Sequence, residues 1–407
     1  MNLFDDDERN YTGYRAAQES NFAFLNRSAL PKFERTRTLL ERWFHEYPAA
    51  HQAALGTSFR SDRDTQHWGA FFELYCHAML RHQGFTSSVQ EVVDATVNRP
   101  IDFLVQQDAT PLFYLEATVA TDSRQVLANQ RKIWELIDAL NTLTEPNLQV
   151  SLEIERESSQ NLPYNRIRSA IHGWLQTLDP DEVFEQRKGI ESDKHPHWIW
   201  DRDGWRIVFF AIPRPQKERG TTGETVLYQL WDARRIEALN SLHDALEEKT
   251  DRYGELRFPY VIAVDVLAID SFGSDVGELL FGREVVLFDK RTEEVTLTRS
   301  PLLPNRHRSE NGLWFARRGP RNQQVSAVLL VQELMPWAVA HKTPVLWHNP
   351  WADKPLDPDL WQGQQMIPDM NALPPRMQYR DGKKAWEVLQ LTPEWPDGDI
   401  QNSSEPW

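Results

Sequence analysis

The sequence is poor in several features that mark whole classes of protein. Its 407 residues include a single cysteine, Cys76, which excludes an internal disulfide framework and a cysteine-based zinc ribbon. No run approaches the ~18–20 consecutive apolar residues that a membrane-spanning helix requires. The amino-terminal sequence MNLFDDDERN is acidic, whereas a signal or transit peptide is basic. These absences predict a soluble, cytoplasmic protein with no membrane partner.

Positive charge is also scarce. The chain carries 45 Lys and Arg against 60 Asp and Glu, a net charge of −15, which argues against a general nucleic-acid coat but allows a local basic groove. A Gly-x-Ser-x-Gly elbow, a His-Glu-x-x-His helix and a phosphate-binding loop with its lysine are all missing. Energy-driven translocation is therefore not encoded, and any such step requires a partner protein in a multi-subunit system.

The chain does contain ample apolar material, in a mixed pattern of helices and strands. Hydrophobic residues make up 40% of it and include 16 Trp, which predicts a sizeable core and excludes a largely disordered chain. We expect an α/β fold in four parts: an N-terminal helical cap (1–60), a core (61–178), a C-terminal α/β domain (195–360), and an irregular wrap with an acidic tail (361–407). An acidic, proline-containing linker is expected at 178–196.

The clearest pattern lies between residues 64 and 155. Its predicted elements are a helix (64–83), three strands (86–97, 101–107, 112–120), a second helix (123–142) and a half-buried strand (148–154). Further predicted elements are a helix at 231–250 and strands near 205–213, 259–267, 325–331 and 344–348. The first block therefore has the order αβββαβ.

Three acidic residues in this block suit a phosphodiesterase that uses a divalent metal. Glu73 lies on the first helix, Asp102 opens the second strand, and Glu116 lies near the end of the third. Carboxylates are natural ligands for Mg²⁺, which takes few protein ligands and keeps several waters. Because side chains alternate along a strand, Glu116 and Thr118 share a face, and a hairpin would bring Asp102 and Glu116 together. The sequence thus predicts a Mg²⁺ or Mn²⁺ site formed by the three acids.

These residues resemble the motifs of the PD-(D/E)xK nuclease superfamily. Pro-Ile-Asp at 100–102 matches the P-x-D element, Glu-Ala-Thr at 116–118 matches (D/E)-x-K, and Glu73 matches an acid that many members carry on the first helix. Gln130 and Trp134 have the spacing of a glutamine and an aromatic residue in the exonuclease-like branch. The resemblance implies a restriction-endonuclease-like fold, metal-dependent hydrolysis of DNA, and roles in restriction, repair or anti-phage defence.

The main departure from the family is Thr118, which stands where a lysine helps to activate water and stabilise the phosphate. Three alternatives remain: the lysine's role has moved, the metal suffices, or the protein is an inactive module that binds nucleic acid or a partner protein. The resemblance implies catalytic roles for Asp102, Glu116, Thr118 and Gln130, with Gln130 orienting water or a phosphate. No substitute is expected from Lys132, which lies about 200° around the helix from Gln130.

A basic segment at 305–321 is the second feature of interest. Against Glu310 alone, it holds five arginines: Arg306, Arg308, Arg317, Arg318 and Arg321. Arginine suits phosphate oxygens through bidentate pairing, and Trp314 and Phe315 carry rings that can stack on bases. The segment is predicted to bind nucleic acid, with a solvated charged loop as the alternative.

Overall fold

The computed structural model describes most of the chain. The described residues are 2–13, 15–16, 19–92, 100–120, 124–143, 145–187, 195–220, 225–228, 233–250, 252–267, 275–281, 284–285, 287–288, 295–296, 307–308, 312–316, 319–369 and 376–397. The chain divides into two compact units. The first comprises Met1–Gly13, Ser20–Thr121 and Arg235–Trp407, and the second comprises Tyr14–Glu19 and Asp122–Arg234.

The described elements form a mixed α/β protein, as predicted. The α-helices are α1 (Asn21–Arg27), α2 (Pro31–Glu46), α3 (Ala49–Phe59), α4 (Asp64–His82), α5 (Arg124–Asn141), α6 (Tyr164–Leu175), α7 (Pro180–Arg187), α8 (Ala233–Thr250), α9 (Asp275–Phe281) and α10 (Ala385–Val388). The strands are β1 (Thr86–Val92), β2 (Pro100–Gln107), β3 (Thr110–Ala120), β4 (Leu148–Arg156), β5 (His197–Arg202), β6 (Trp205–Pro213), β7 (Val226–Tyr228), β8 (Tyr260–Val266), β9 (Glu284–Val285), β10 (Leu287–Phe288), β11 (Val295–Thr296), β12 (His307–Arg308), β13 (Phe315–Ala316), β14 (Gly319–Pro320), β15 (Ala327–Gln332), β16 (Val345–His348), β17 (Gln364–Asp369) and β18 (Arg376–Arg380). Among the described residues, no helix is long and apolar enough to cross a membrane.

The first unit is built on an eight-stranded mixed sheet. Its strand order is β1-β2-β3-β8-β15-β16-β17-β18, and β8 runs parallel to both of its neighbours. Central parallel strands are covered on both faces, so β8 is buried along its whole length and reads as an almost continuous apolar run. The segment after residue 361, predicted to be an irregular wrap, instead contributes β17 and β18 to the sheet.

Helices cover both faces of this sheet. On one face, Phe72 of α4 packs in a core that includes Leu115 of β3. On the other face, Leu246 of α8 packs in a second core that includes Tyr114 of β3. Neighbouring residues of a strand point to opposite faces, so Glu116 belongs to the face that α8 covers.

The second unit has its own four-stranded sheet, in the order β5-β6-β4-β7, and its own core formed with α5, α6 and α7. In this sheet β4 pairs with β6 and β7. The αβββαβ order predicted for residues 64–155 therefore does not form one sheet, and the two units divide the chain differently from the predicted domains 61–178 and 195–360. The alternation in β4 predicts a half-buried strand, but it carries no information on the sheet to which that strand belongs.

Candidate active site

The predicted acids on β2 and β3 meet where the two strands separate. The ladder between the strands reaches the pair Phe103 and Leu115 at this end. Beyond that pair, the backbone N–H of Ala117 donates to Asp102 Oδ2 at 2.8 Å, and the backbone N of Asp102 lies 3.4 Å from Glu116 Oε2. The two carboxylates thus satisfy backbone donors that the ladder no longer pairs. The predicted hairpin does bring Asp102 and Glu116 together.

Glu116 is held by three donors from the end of α8 and the turn after it. Lys249 Nζ lies 2.7 Å and Arg252 Nη1 2.8 Å from Glu116 Oε1. The hydroxyl of Tyr253 donates to Glu116 Oε2 at 2.7 Å. The Glu116 side chain is 1% exposed and that of Lys249 is 13% exposed. Such partners are needed, because an unpaired carboxylate this deeply buried would cost several kcal/mol.

The sequence brings these donors to the sheet through the apolar stripe of α8. Leu242 and Leu246, one turn apart, are fully buried against the sheet. Lys249 follows Leu246 by three residues, so it lies on the same side of the helix. We did not predict Lys249, Arg252 or a role for the turn after α8. The sequence feature that could have identified Lys249 is its position at the end of the apolar stripe of α8, which places it next to the sheet.

Glu73 approaches the same site from α4, and its carboxylate accepts a hydrogen bond from the hydroxyl of Tyr47. Burial raises the pKa of Glu73; this hydrogen bond opposes the rise, and the carboxylate of Glu116 adds to it. Burial likewise raises the pKa of Asp102 to about 8, and the carboxylates of Glu116 and Glu73 contribute to the rise. Three acids therefore interact here against two cations, Lys249 and Arg252, and a bound cation would favour the ionised form of Asp102 over its protonated form.

The donor chemistry fits a hard divalent cation, although a complete ligand shell is not assembled. Asp102 Oδ1 and Glu73 Oε2 accept no hydrogen bond from any described residue, so both oxygens are available to coordinate a cation. In the described part of the chain, however, no group of three His, Cys, Asp or Glu side chains could hold a metal ion as it stands. Mg²⁺ commonly binds through one or two carboxylates and keeps several waters, so Asp102 with Glu73 or Glu116 would supply enough direct ligands. Glu116 would first have to exchange one of its three hydrogen-bond donors for the ion.

The remaining predicted catalytic residues do not all join this cluster. Thr118 lies two residues beyond Glu116 on the same face of β3. The side chains of Gln130 and Trp134 lie outside the described residues, and α5, which carries them, belongs to the second unit. Lys132, predicted to face away from the site, donates to Ser159 O at 2.6 Å within that second unit.

The predicted nucleic-acid-binding segment is only partly described. The guanidinium of Arg321 pairs with Glu247 of α8 at 2.6 Å. Trp314, predicted to stack on bases, is instead fully buried and packs against Phe281, because burial of its large apolar surface outweighs the basic surroundings. The other four arginines have side chains outside the described residues: Arg306, Arg308, Arg317 and Arg318.

Comparisons with known proteins do not assign this geometry to a family. No protein-family model matches the chain, and neither a curated protein nor a solved structure matches it. The chemistry of the site is therefore inferred from its own residues and from the strands and helices that carry them.

Proposed function

We propose that Glu73, Asp102, Glu116 and Lys249 form the active site of a metal-dependent nuclease that hydrolyses phosphodiester bonds in DNA. The observation that carries this proposal is the 2.7 Å contact between Lys249 Nζ and Glu116 Oε1. Through it, α8 supplies the positive charge that the PD-(D/E)xK pattern expects at Thr118. Acids that can bind a cation and a lysine beside them are the groups that phosphodiester hydrolysis requires.

The order of elements around the site supports a restriction-endonuclease-like core. If Asp122–Arg234 is treated as an insertion, the elements that surround the acids follow one another as α4, β1, β2, β3, α8 and β8. This order is αβββαβ, the one that we predicted for a continuous segment. In it, β8 takes the position predicted for β4 and runs parallel to β3. The core then consists of segments that are distant in the sequence.

The proposed roles follow from the contacts. Asp102 and Glu116 would hold Mg²⁺ or Mn²⁺, with Glu73 completing the shell through water. The bound ion supplies acidification of water and stabilises developing negative charge. Lys249 orients the attacking water and stabilises charge on the phosphate. Arg252 offers further donors to a phosphate oxygen, because its guanidinium carries five N–H groups in a fixed fork.

One observation favours a second function. Lys249, Arg252 and Tyr253 together occupy both oxygens of Glu116, so this acid is stabilised without a metal ion. Three carboxylates without a cation would repel one another by about 1 kcal/mol or more per close pair, which argues against an inactive protein. The pairing of Glu116 removes much of that objection. The alternative is an inactive module of the same fold that binds nucleic acid or a partner protein.

Cleavage assays with circular and linear DNA in Mg²⁺, Mn²⁺ or chelator separate the two functions. We expect cleavage that chelator abolishes. Lys249→Ala should lower the cleavage rate by about 10²–10³-fold, the effect of removing one preorganised electrostatic donor. Lys132→Ala is the matched control, because Lys132 donates to Ser159 in the second unit, and it should leave cleavage intact. Binding of DNA without cleavage in either metal would favour the inactive module.

Thr118→Lys tests whether cleavage depends on a positive charge beside Glu116 or only on the packing that Lys249 provides. The new lysine would lie on the face of β3 that carries Glu116. In the wild-type background, cleavage should rise or its metal requirement relax. In the Lys249→Ala background, cleavage should recover in part. A folded double variant without any recovery would indicate that Lys249 acts through packing rather than through its charge.

A further inference from the structure

A cleft beside Glu73 is not used by the proposed chemistry. It has a volume of about 270 Å³ and is lined mainly by residues of α3 and α4 in the first unit. Glu73 and the buried Tyr47 line its inner part, and the exposed side chains of Ser58, Gln66 and Gln90 line its outer part. The cleft therefore connects solvent with one of the three acids of the site.

The wall of this cleft contains a glycine that packing does not explain. Gly69 lies inside α4, where glycine is less favourable than alanine because it loses more backbone freedom on folding. A Cβ atom built on Gly69 would meet no other heavy atom within 4 Å. No close contact thus requires glycine at this position. Its effect is to leave the cleft wider than any other residue would.

The lining suits an uncharged, polar and flat ligand. Among the described lining residues there is one carboxylate, Glu73, one imidazole, His51, and neither lysine nor arginine. A sugar-phosphate backbone would find no cation to pair with, so the cleft does not suit phosphates. Tyr47 and Leu55 are buried and close the inner end of the cleft, and His51 offers a half-buried ring on which a base can stack. Amide and hydroxyl groups such as that of Gln66 offer donors and acceptors. A nucleobase has the matching combination of a π face and a polar edge.

We propose that this cleft binds the base of an unpaired nucleotide next to the bond that is cleaved. The inference rests on the proposed nuclease function and names its substrate class, which is a single strand, an overhang or a frayed end. A base in an intact duplex would first have to leave the stack, which costs free energy. The volume lies just below the ~300–1,000 Å³ typical of pockets for drug-sized ligands, so it suits one base.

Fluorescence anisotropy can measure this binding separately from cleavage. The probes are a short single-stranded DNA, the same strand with abasic sites, and the matching duplex, each with Ca²⁺ and with chelator. We expect the wild type to bind the strand with bases about tenfold more tightly than the abasic strand. Gly69→Phe, which fills the cleft, should abolish that ratio, and Gly69→Ala should keep it. Ala54→Phe fills the cleft from an exposed position on α3 and serves if Gly69→Phe does not fold.

Two results would overturn the inference: an unchanged ratio in folded Gly69→Phe or Ala54→Phe, or wild-type binding to duplex that is as tight as binding to single strands. The test also separates this inference from the function on which it rests. A base-dependent ratio without any cleavage would reject the nuclease and retain the base-binding cleft. Cleavage of single and double strands without a base-dependent ratio would retain the nuclease and reject the cleft.

Discussion

Two buried carboxylates on neighbouring strands of the first unit have opposite surroundings. Glu116 of β3 belongs to the face covered by α8, where it meets the cations of Lys249 and Arg252. Asp265 of β8 is fully buried and belongs to the opposite face, because its neighbours along the strand lie in the core under α8. Its Oδ1 accepts one hydrogen bond, from the backbone N–H of Leu334 at 3.2 Å. Its Oδ2 has no hydrogen-bond partner among the residues that the structure describes.

The difference shows that the partners of a buried acid, and not its burial alone, set its electrostatic environment. Burial raises the pKa of Asp265 to about 8, so this side chain is mainly protonated at neutral pH. Glu116 is just as inaccessible, but a separate helix supplies it with two cations. A buried acid with matched cations is a site that can hold charge, whereas a buried acid without them is neutralised by a proton.

The largest effect on stability is expected from Glu116→Ala. The variant leaves Lys249 and Arg252 without their partner, so the free energy of unfolding should fall by about 3–5 kcal/mol. Asp102→Asn is the matched control: because burial raises the pKa of Asp102 to about 8, this side chain is mainly protonated at neutral pH, so the variant removes little charge and its stability should hardly change. Urea denaturation measures both variants, and equal stabilities would contradict the contribution of the ion pairs.

A smaller, pH-dependent effect is expected from Asp265→Asn. The pKa of Asp265 is about 8 in the folded protein and about 3.9 in the unfolded chain, so ionisation disfavours folding. Its contribution to stability is therefore fully present below about pH 4 and is lost as the pH rises to about 8. Asparagine cannot ionise, so the stability of the variant relative to wild type should increase by on the order of 3 kcal/mol between about pH 5 and pH 7.

Thermal or urea unfolding at both pH values measures this difference. Glu255→Gln is the control, because Glu255 is 93% exposed. The stability of this variant relative to wild type should hardly change with pH. A stability difference for Asp265→Asn that is the same at both pH values would mean that Asp265 is not protonated in the folded protein.

The smallest effect is expected at the ion pair between Arg321 and Glu247. Their side chains are 38% and 39% exposed, so water screens the pair and a double-mutant cycle should give a coupling of less than about 1 kcal/mol. If the basic segment contacts DNA, Arg321→Ala should also reduce the salt dependence of binding by about one counterion. A coupling between Arg321 and Glu247 of about 3–5 kcal/mol, the loss expected for Glu116→Ala, would mean that exposed and buried ion pairs contribute equally to stability.

Local patterns were enough to predict much of the first unit. The helix predicted at 64–83 and the strands predicted at 101–107 and 112–120 are confirmed as α4, β2 and β3, with ends that differ by a few residues. The meeting of Asp102 and Glu116 was also predictable. A tight turn at Asp108 and Ala109, both with positive φ, joins the two strands, and so short a connection allows little other than an antiparallel pair.

The helices, the strands and the hairpin that joins two acids could be predicted, because each depends on residues close together in the chain. The cation that completes the cluster depends on long-range packing. Lys249 is 133 residues from Glu116, and most of the second unit lies between them in the sequence. Periodicity indicates which face of an element is apolar, but not which element will cover that face. The packing of α8 against β3 therefore placed a cation beside Glu116 that no local pattern indicated.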